Sequence, residues 1–462
     1  MKKNIALSAI VVGLLSSVSV QADDAVSTMF KDGKASGQIR EFTINRDTTW
    51  TGTSPSNSTN QMSSAIGGHL KYETAEAAGI TLGTAFYTTN AFLARDNVDN
   101  NDLINTTVLG SDGNGYSILG EAYIQYKNGK TAVTIGRQKI DSPLMAGDDY
   151  RMIRNLFNSV ELSNTSIDGI KFNLGHTSQM ASGTFANAYA GGITAMTAGY
   201  TGIAANKGNT DFKNFGDTYV DEQTAGITTL GVTYTGVEGL KAQLWDYYAH
   251  NISNTIYGDV SYKMKMDSIT PFVAAQFIKQ GAVGDKLLKN LNSASTSLTG
   301  ELGGMYYGLK AGLTVSGFTT YLAYSATSEN STSDAATDGA AKNSIVLMGG
   351  GYPVYTQGMV SRQMTLAGVS ATKFVLAYCF KKMGPDVKVV GYYIDINYAN
   401  SNVTYDQNLD TNEKGFDVIY NTAWAKNLQL RLRGNYVTDW TGTAGTNARD
   451  FSEYRFIANY KF

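Results

Sequence analysis

The sequence is poor in cysteine, proline and histidine, and each shortage excludes a class of structure or site. Cys379 is the only cysteine, so the chain cannot form an intramolecular disulfide and its fold must hold without covalent cross-links. Only 5 prolines accompany 49 glycines and 29 tyrosines, which favours turns and aromatic strands over disorder. Three histidines leave few candidates for acid–base chemistry.

Long hydrophobic runs are also scarce. The extended apolar stretch from Ile5 to Val20 follows a short basic start and leads to small residues ending at Ala22. This pattern predicts a signal peptide over residues 1–22, which leaves 23–462 as a single domain. No other run approaches the roughly 18 apolar residues that a membrane-spanning helix needs. Cleavage removes two of the 37 basic residues and leaves 35 against 39 acidic ones, a near-neutral balance that argues against a nucleic-acid partner.

The sequence has a regular alternation of apolar and polar residues instead. In the last ten residues, aromatic or apolar side chains alternate with polar ones. Because strand side chains point to opposite faces in turn, one face carries Tyr454, Phe456, Ala458, Tyr460 and Phe462, and the other carries Glu453, Arg455, Asn459 and Lys461. One face suited to lipid and one suited to water are typical of the closing strand of an outer-membrane barrel.

The same period-two pattern recurs along the chain and predicts about eighteen strands, with no helix outside the signal peptide. The predicted strands centre on Ile39, Leu70, Leu82, Tyr123, Val133, Val160, Phe172, Val232, Leu244, Val260, Val273, Leu309, Tyr321, Leu376, Tyr392, Val418, Leu432 and Phe456. An even number of strands suits a closed, all-β, transmembrane antiparallel barrel.

The connections between these strands alternate in length. Short links such as Asn128-Gly129 alternate with long polar segments such as Asp47 to Met62 and Met180 to Gln223. Outer-membrane barrels have short periplasmic turns and long external loops, so the outer membrane is the predicted location and its lipid the predicted surrounding.

A soluble all-β protein would also alternate along its strands. The oligomeric state stays open, since a homo-oligomer interface and a lipid-facing surface are both apolar.

Charged residues with the parity of the polar face are expected to line the lumen. The predicted lumen cations on the strands are Lys171, Lys241, Lys263, Lys310, Arg431, Arg433 and Arg455. Acids assigned the same orientation are Glu73, Glu121, Asp259, Asp395 and Asp417. Cations spread around the ring would lower the barrier for anions such as carboxylates, although any water-filled lumen collects charges.

The segment from Gln138 to Asn158 carries the sharpest local signal. It contains Pro143-Leu144-Met145, followed by Asp148-Asp149-Tyr150-Arg151-Met152-Ile153-Arg154. A solvated loop does not need these apolar residues, whereas a loop folded into the barrel would pack them on the wall and turn its charges to the channel. The segment therefore predicts a pore constriction formed by Asp148, Asp149, Arg151 and Arg154, with an external cap as the alternative.

At these residues the chain resembles the OprD-type substrate-specific outer-membrane porins. The resemblance runs through Gly136-Arg137-Gln138, Ser142-Pro143-Leu144, Asp149-Tyr150-Arg151, Phe157 and Asp168-Gly169-Ile170-Lys171-Phe172. It continues more weakly through Tyr307-Gly308-Leu309-Lys310, Gly351-Tyr352-Pro353-Val354 and the terminal strand. The resemblance implies an eighteen-stranded barrel, an opening narrowed by inward loops, a basic ladder leading to it, and uptake of small charged nutrients such as carboxylates or basic amino acids. Among matching positions it implies pore cations at Arg137, Arg151 and Arg154 and acids of the opening at Asp148 and Asp149.

Two residues depart from that pattern. Arg137 has the parity of Val133 and Ile135, which are predicted to face lipid, so it reaches the lumen only if its strand ends or bulges there. Arg40 falls in phase with apolar Phe42, which argues against a place for Arg40 in the basic ladder.

Neither catalysis nor a cofactor is expected. A barrel hydrolase would need a Ser/His pair or an acid cluster on its rim, and among His69, His176 and His250 the least poor candidate, His176, has the parity of the lipid side. Metal-type Cys/His spacings and Gly-rich phosphate loops are absent from the sequence. The acidic run from Asp96 to Asp102 fits either a Ca²⁺-binding segment or a solvated external loop.

The sequence thus predicts a porin, not an enzyme, through which small charged solutes diffuse passively past a loop-built constriction. The alternative is a surface adhesin or structural barrel with a closed lumen. Conductance across a planar bilayer distinguishes the two.

Overall fold

The structure, a computed structural model, describes residues 22–51, 57–95, 104–189, 210–220, 222–285, 302–331, 342–399, 411–440 and 448–462. The predicted signal peptide lies outside these residues except for Ala22, and so does the acidic run 96–102. Among the described residues, the α-helices are α1 (Ala22–Lys31) and α2 (Phe215–Tyr219), and short 3₁₀ turns span Thr106–Val108, Thr184–Tyr189, Gln363–Thr365 and Phe380–Met383.

The part of the chain that the structure describes contains eighteen long strands. They are β1 (Lys34–Thr51), β2 (Asn57–Glu73), β3 (Ile80–Arg95), β4 (Tyr116–Asn128), β5 (Thr131–Gln138), β6 (Leu156–Asn164), β7 (Ile170–Ala181), β8 (Ile227–Tyr234), β9 (Leu240–Ala249), β10 (Ser253–Lys263), β11 (Ile269–Ala282), β12 (Met305–Val315), β13 (Phe318–Thr327), β14 (Val369–Cys379), β15 (Val387–Tyr398), β16 (Thr411–Asn421), β17 (Leu428–Thr438) and β18 (Ala448–Lys461). A two-residue strand, Lys213–Asn214, pairs with the end of β7. Every predicted strand centre lies in one of the eighteen, so the predicted strand order is confirmed.

The strands form one closed antiparallel barrel. Each pairs with its neighbours in sequence, and β1 pairs with both β2 and β18, so that Arg40 lies opposite Gly67 and Asn459. Closure matters because a strand edge left open in lipid would expose unpaired backbone groups. Among the described residues, no helix is long and apolar enough to cross a bilayer.

Outward-facing positions are predominantly apolar around the ring. Ile39, Leu70, Leu309 and Leu322 lie 51%, 56%, 55% and 56% exposed on the outer face. The barrel has short turns at one end and mostly long connections at the other, which we call the turn end and the loop end.

Two predicted local features are wrong. The predicted long connection from Asp47 to Met62 is mostly strand, because threonine and other polar residues continue the β1–β2 ladder to Trp50 opposite Asn57. The prediction of no helix after the signal peptide misses α1, which reaches the wall through a backbone bond from Ala75 to the Met29 carbonyl.

The inner face is not uniformly polar. Phe42 and Ile44 of β1 are fully buried inside the barrel, and Ile394 and Ile396 of β15 are as well. Asp395, between the last two, therefore points outward, which corrects its assignment to the lumen. These inward apolar residues mark where loops enter the barrel and pack on the wall.

Candidate functional site

The first inward loop, residues 139–155, occupies the lumen as its apolar content predicts. Leu144, Met145 and Ile153 are buried. The Leu144 backbone N–H donates to the hydroxyl of Tyr247 on β9 at 3.2 Å, which fixes that part of the loop against the wall. Ile153 packs in the same cluster as Phe42 on the opposite side of the barrel. The loop therefore crosses the lumen rather than capping it.

A second inward loop, residues 342–368, is held by two glutamines of β11. The Gln276 amide donates to the Pro353 carbonyl at 3.0 Å and accepts from the Tyr355 backbone N–H at 2.9 Å. The Gln280 amide donates to the Val346 carbonyl at 2.8 Å and accepts from the Val346 backbone N–H at 2.7 Å. Side-chain amides can replace a strand partner in this way because they carry one donor and one acceptor group.

The two loops touch each other inside the barrel. The Ala146 backbone N–H donates to the Gly349 carbonyl at 3.1 Å. A Cβ on Gly349 would lie 2.3 Å from Met145 Cγ, so only glycine permits this approach. Gly351 adopts a φ of +72°, which other residues rarely do. Together the loops form a septum across the lumen.

Asp148 is buried where the loops meet. Burial raises the pKa of Asp148 to about 6, although the guanidinium groups of Arg362 and Arg154 and a backbone bond from Gly351 oppose this shift, and Asp141 adds to it. One of its carboxylate oxygens, Oδ2, has no hydrogen-bond partner. The predicted channel-facing position of Asp148 is wrong, because the second inward loop covers this side chain.

The raised pKa makes the contact between the loops depend on pH. The folded state favours neutral Asp148. The stabilisation that the neutral carboxyl gives to the contact between the loops is therefore complete below the ordinary carboxyl pKa of 3.8, and it is lost as pH rises through about 6. We expect single-channel current fluctuations to become several-fold more frequent between pH 5 and pH 8. Asp148→Asn should remove most of that dependence, and an equally strong dependence in this variant would assign it to another group.

Asp149 lies in the lumen and pairs with Arg40. Arg40 donates from Nη1 and Nη2 to the two Asp149 carboxylate oxygens at 2.7 Å and 3.1 Å. Its Nε donates to the Asn459 side chain at 2.7 Å, and Nη1 also contacts the Arg151 carbonyl. Arg40 therefore lies in the lumen, contrary to the prediction from its phase, because Phe42 also faces inward and packs on the loop.

Arg151 does not face the channel, which corrects its predicted role. It is 1% exposed and donates to Glu453 of β18 at 3.1 Å. Glu453 is fully buried, and its carboxylate also accepts hydrogen bonds from Arg46 Nε at 2.7 Å and from Arg455 Nε. The Arg151 guanidinium lies 5.5 Å from the Phe42 ring centroid and 5.1 Å from that of Phe185. Arg151 thus ties the first inward loop to the wall.

Arg154 remains near water. It pairs with Asp141 at 2.6 Å and lines a cavity of about 380 Å³ together with Arg40, Asp149 and His69. Of the four residues predicted at the constriction, the structure therefore brings Asp149 and Arg154 to the lumen and buries Asp148 and Arg151.

The predicted strand cations lie on the inner face. Lys171, Lys241 and Lys263 are exposed near the turn end. Lys310 lies 4.2 Å from the ring centroid of Tyr355. Arg431 donates to Asp417 at 2.7 Å, and Arg433 lies 3.2 Å from the same carboxylate. Arg455 pairs with Glu453.

Arg137 is the exception and does not line the lumen. It lies opposite Ala122 and Asn158 with no shift of register on β5, so it keeps the outward parity of Val133 and Ile135. Its guanidinium donates to the Leu119 carbonyl at 3.2 Å and lies 4.3 Å from the Phe212 ring centroid. Assignment of Arg137 as a lumen cation is wrong because the strand neither ends nor bulges there.

Several functional candidates were missed by sequence reasoning. Arg362 of the second inward loop is buried with its guanidinium 5.0 Å from the Tyr150 ring centroid and 5.1 Å from that of Tyr352. Lys373 of β14 donates to the Gln357 carbonyl at 2.6 Å. The apolar run Ile345-Val346-Leu347-Met348 within a long polar connection is the signal that could have identified this loop. Within the described ranges, no group of three or more His, Cys, Asp or Glu could hold a metal ion.

Comparison with known proteins gives the same architecture. The chain is similar in structure to Pseudomonas aeruginosa OccK9 (OpdG), with a TM-score of 0.71 and 17% identity over 94% of this chain and 99% of that one. It is also similar to P. aeruginosa OpdK, determined with vanillate (TM-score 0.70, 14% identity, 94% and 99% covered). A third similar structure is P. aeruginosa OccK2 (OpdF) in complex with glucuronate (TM-score 0.66, 13% identity, 94% and 99% covered). No curated protein matches the chain.

A family model described as outer membrane porin, OprD family, matches residues 28–462, which is nearly the whole chain. This match places the barrel in the bacterial outer membrane, with its turn end in the periplasm and its loop end outside. The chain belongs to the OprD family of outer membrane porins.

Proposed function

We propose that this porin admits small anionic solutes, carboxylates in particular, through the passage between the septum and the wall formed by β1 and β14–β18. The observation that carries the proposal is an excess of cations over acids along that passage. Lipid is proposed to cover the apolar outer face, and the solute is proposed to move by passive diffusion.

Two adjoining cavities follow this passage. The upper one, of about 230 Å³, is lined by four cations and one acid: Arg362, Lys373, Arg433, Arg455 and Asp417. The lower one, of about 480 Å³, reaches the turn end and is lined by three cations and one acid: Arg40, Arg431, Lys461 and Asp149. Asp417 connects the two, because Arg431 and Arg433 both pair with it.

This arrangement favours an anion at each step of the path. A guanidinium group can donate two parallel hydrogen bonds to a carboxylate and so replace part of its hydration. Since Arg431 and Arg433 lie two residues apart on one strand, a solute can pass from one to the next without losing all of its partners. Cations would meet the same row of positive charges as a barrier.

Two of the similar structures support a carboxylate as the solute class. One was determined with vanillate and another with glucuronate, and both compounds carry a carboxylate group. The shape of the upper cavity determines which carboxylate diffuses through the barrel. Its lining includes Tyr150, Tyr321 and Tyr392 beside the cations.

The test is the reversal potential of the purified porin in a planar bilayer under a KCl gradient. We expect wild type to prefer anions, and the double variant Arg431→Gln/Arg433→Gln to lose that preference several-fold, because Asp417 is then left unpaired. Arg137→Gln is the matched control, since the same change on the outer face should leave the potential unaltered. An unaltered potential in the double variant would contradict the proposal, and a barrel that never conducts would favour the closed-lumen alternative.

A further inference from the structure

Two of the chain's three histidines meet on the outer face of the barrel, near its loop end. His176 lies on β7 and has the parity of lipid-facing Leu174. His250 follows the last residue of β9, in the tight turn to β10. Thr228 of β8 lies between them, directly opposite His176 in the ladder. None of these three residues lines the lumen cavities described above.

The two imidazole rings converge on one atom. His176 Nδ1 lies 3.0 Å from Thr228 Oγ1, and His250 Nε2 lies 2.9 Å from the same oxygen. The ring centroids are 5.8 Å apart. A hydroxyl group has a single proton, so it can donate to one ring nitrogen and must accept from the other. His176 Nδ1 and His250 Nε2 therefore both point toward the position of Thr228 Oγ1.

We propose that this pair binds a divalent transition-metal ion, with His176 Nδ1 and His250 Nε2 as its protein ligands and water in the remaining positions. Imidazole nitrogen is a preferred ligand of Cu²⁺, Ni²⁺ and Zn²⁺, and affinity along this series is expected to be highest for Cu²⁺. In the structure each ring nitrogen lies about an ångström farther from Thr228 Oγ1 than it would lie from a bound metal ion. Metal–nitrogen distances of about 2.0–2.1 Å therefore require each ring to shift by roughly an ångström when the ion binds.

Neighbouring groups orient both rings toward the shared hydroxyl. The His176 ring also lies close to the Ala225 backbone, and a backbone partner commonly orients metal-ligating histidines. The His250 backbone N–H donates to the Gly226 carbonyl at 3.0 Å, which fixes the turn. Tyr248 packs edge-on against the His250 ring at 4.9 Å. Preorganised ligands lose less conformational entropy when a metal binds.

The site is also within reach of an ion from the external medium. Both histidines are half-buried rather than enclosed. The β9–β10 connection is only a tight turn, with a bond from the Ile252 N–H to the Ala249 carbonyl. His250 therefore stands at the rim of the wall, not deep in its apolar band.

The experiment uses the untagged mature chain, refolded without lipopolysaccharide so that lipid phosphates do not compete for the metal. Cu²⁺ titration followed by electron paramagnetic resonance should show one ion per chain with two coordinating nitrogens. His176→Gln and His250→Gln should each lower the affinity at least about tenfold and leave at most one histidine nitrogen in the spectrum. A heat-modifiability gel establishes that each variant has folded.

His69→Gln is the matched control. His69, the third histidine, lies in the lumen stacked on Tyr87 at 5.0 Å and should not affect the spectrum. Equal Cu²⁺ affinity in wild type and in a folded His176→Gln/His250→Gln variant would overturn the proposal. So would a nitrogen signal that disappears in His69→Gln and persists in the double variant. Conductance is measured separately, so this result is independent of the proposed solute.

Discussion

Replacing Glu453 by glutamine is expected to release the first inward loop from the wall and to raise single-channel conductance several-fold. In the native barrel Glu453 is fully buried and is the carboxylate that Arg46, Arg151 and Arg455 share. Of these, Arg151 belongs to the loop. Glutamine keeps the shape of the side chain and removes its charge, so three guanidinium groups lose the acid that holds them together.

The size of the effect follows from burial. Arg151 and Arg455 are each 1% exposed, so water cannot take over the role of the carboxylate. Removing one partner of a buried ion pair costs about 3–5 kcal/mol, because the charge that remains is uncompensated. Glu453 pairs with Arg46 and Asn435 in the strand ladder through its backbone, which the substitution leaves in place. The loop can relieve the repulsion by withdrawing Arg151, and we expect it to respond first.

Glu73→Gln is the matched control for this prediction. Glu73 also pairs with a lumen cation, Lys71, at 2.9 Å, but its side chain is 44% exposed. Exposed pairs contribute only about 0–1 kcal/mol, so this variant should conduct like wild type. If Glu453→Gln shows the conductance and open-channel noise of wild type, Glu453 does not anchor the loop.

The strands were predictable because lipid imposes one rule on every outward position. Side chains that face hydrocarbon are apolar at every depth of the wall. Outward residues such as Leu70 and Leu309 therefore make the two-residue alternation of the strands visible in the sequence. The rule concerns only the outer face. Inside the barrel a position is polar where it meets water and apolar where it meets a loop, and the sequence does not say which. Phe42 and Ile394 face inward for this reason.

The roles of the loop charges were less predictable, since they depend on partners remote in sequence. The apolar residues around Leu144 correctly predict a loop inside the barrel. Whether a charge on that loop reaches water depends on what covers it. Arg151 meets Glu453 across 302 residues of sequence and is buried, whereas Asp149 pairs with Arg40 and stays 43% exposed. Two charges only two residues apart on the loop therefore have different surroundings and different roles.

Glu413 should anchor the second inward loop as Glu453 anchors the first. It is fully buried on β16 and accepts from the backbone N–H groups of Met359 and Ser361 at 2.7 Å and 2.8 Å. The Tyr392 hydroxyl donates to it at 2.5 Å. Hydrogen bonds to a charged group contribute about 1.5–3 kcal/mol each. Glu413→Ala removes all of them, and we expect the loop to leave the upper cavity and conductance to rise several-fold.

Asp417→Asn separates loop anchoring from loss of charge. Asp417 lies on the same strand and the same inner face, but it pairs with Arg431 and Arg433 rather than with loop backbone. Its replacement frees two cations beside the passage, so we expect stronger anion preference with little change in conductance. Glu413→Ala should instead raise conductance and open-channel noise, because Arg362 moves with the loop. If both variants change only the reversal potential, Glu413 acts as a lumen charge and the loop has other anchors.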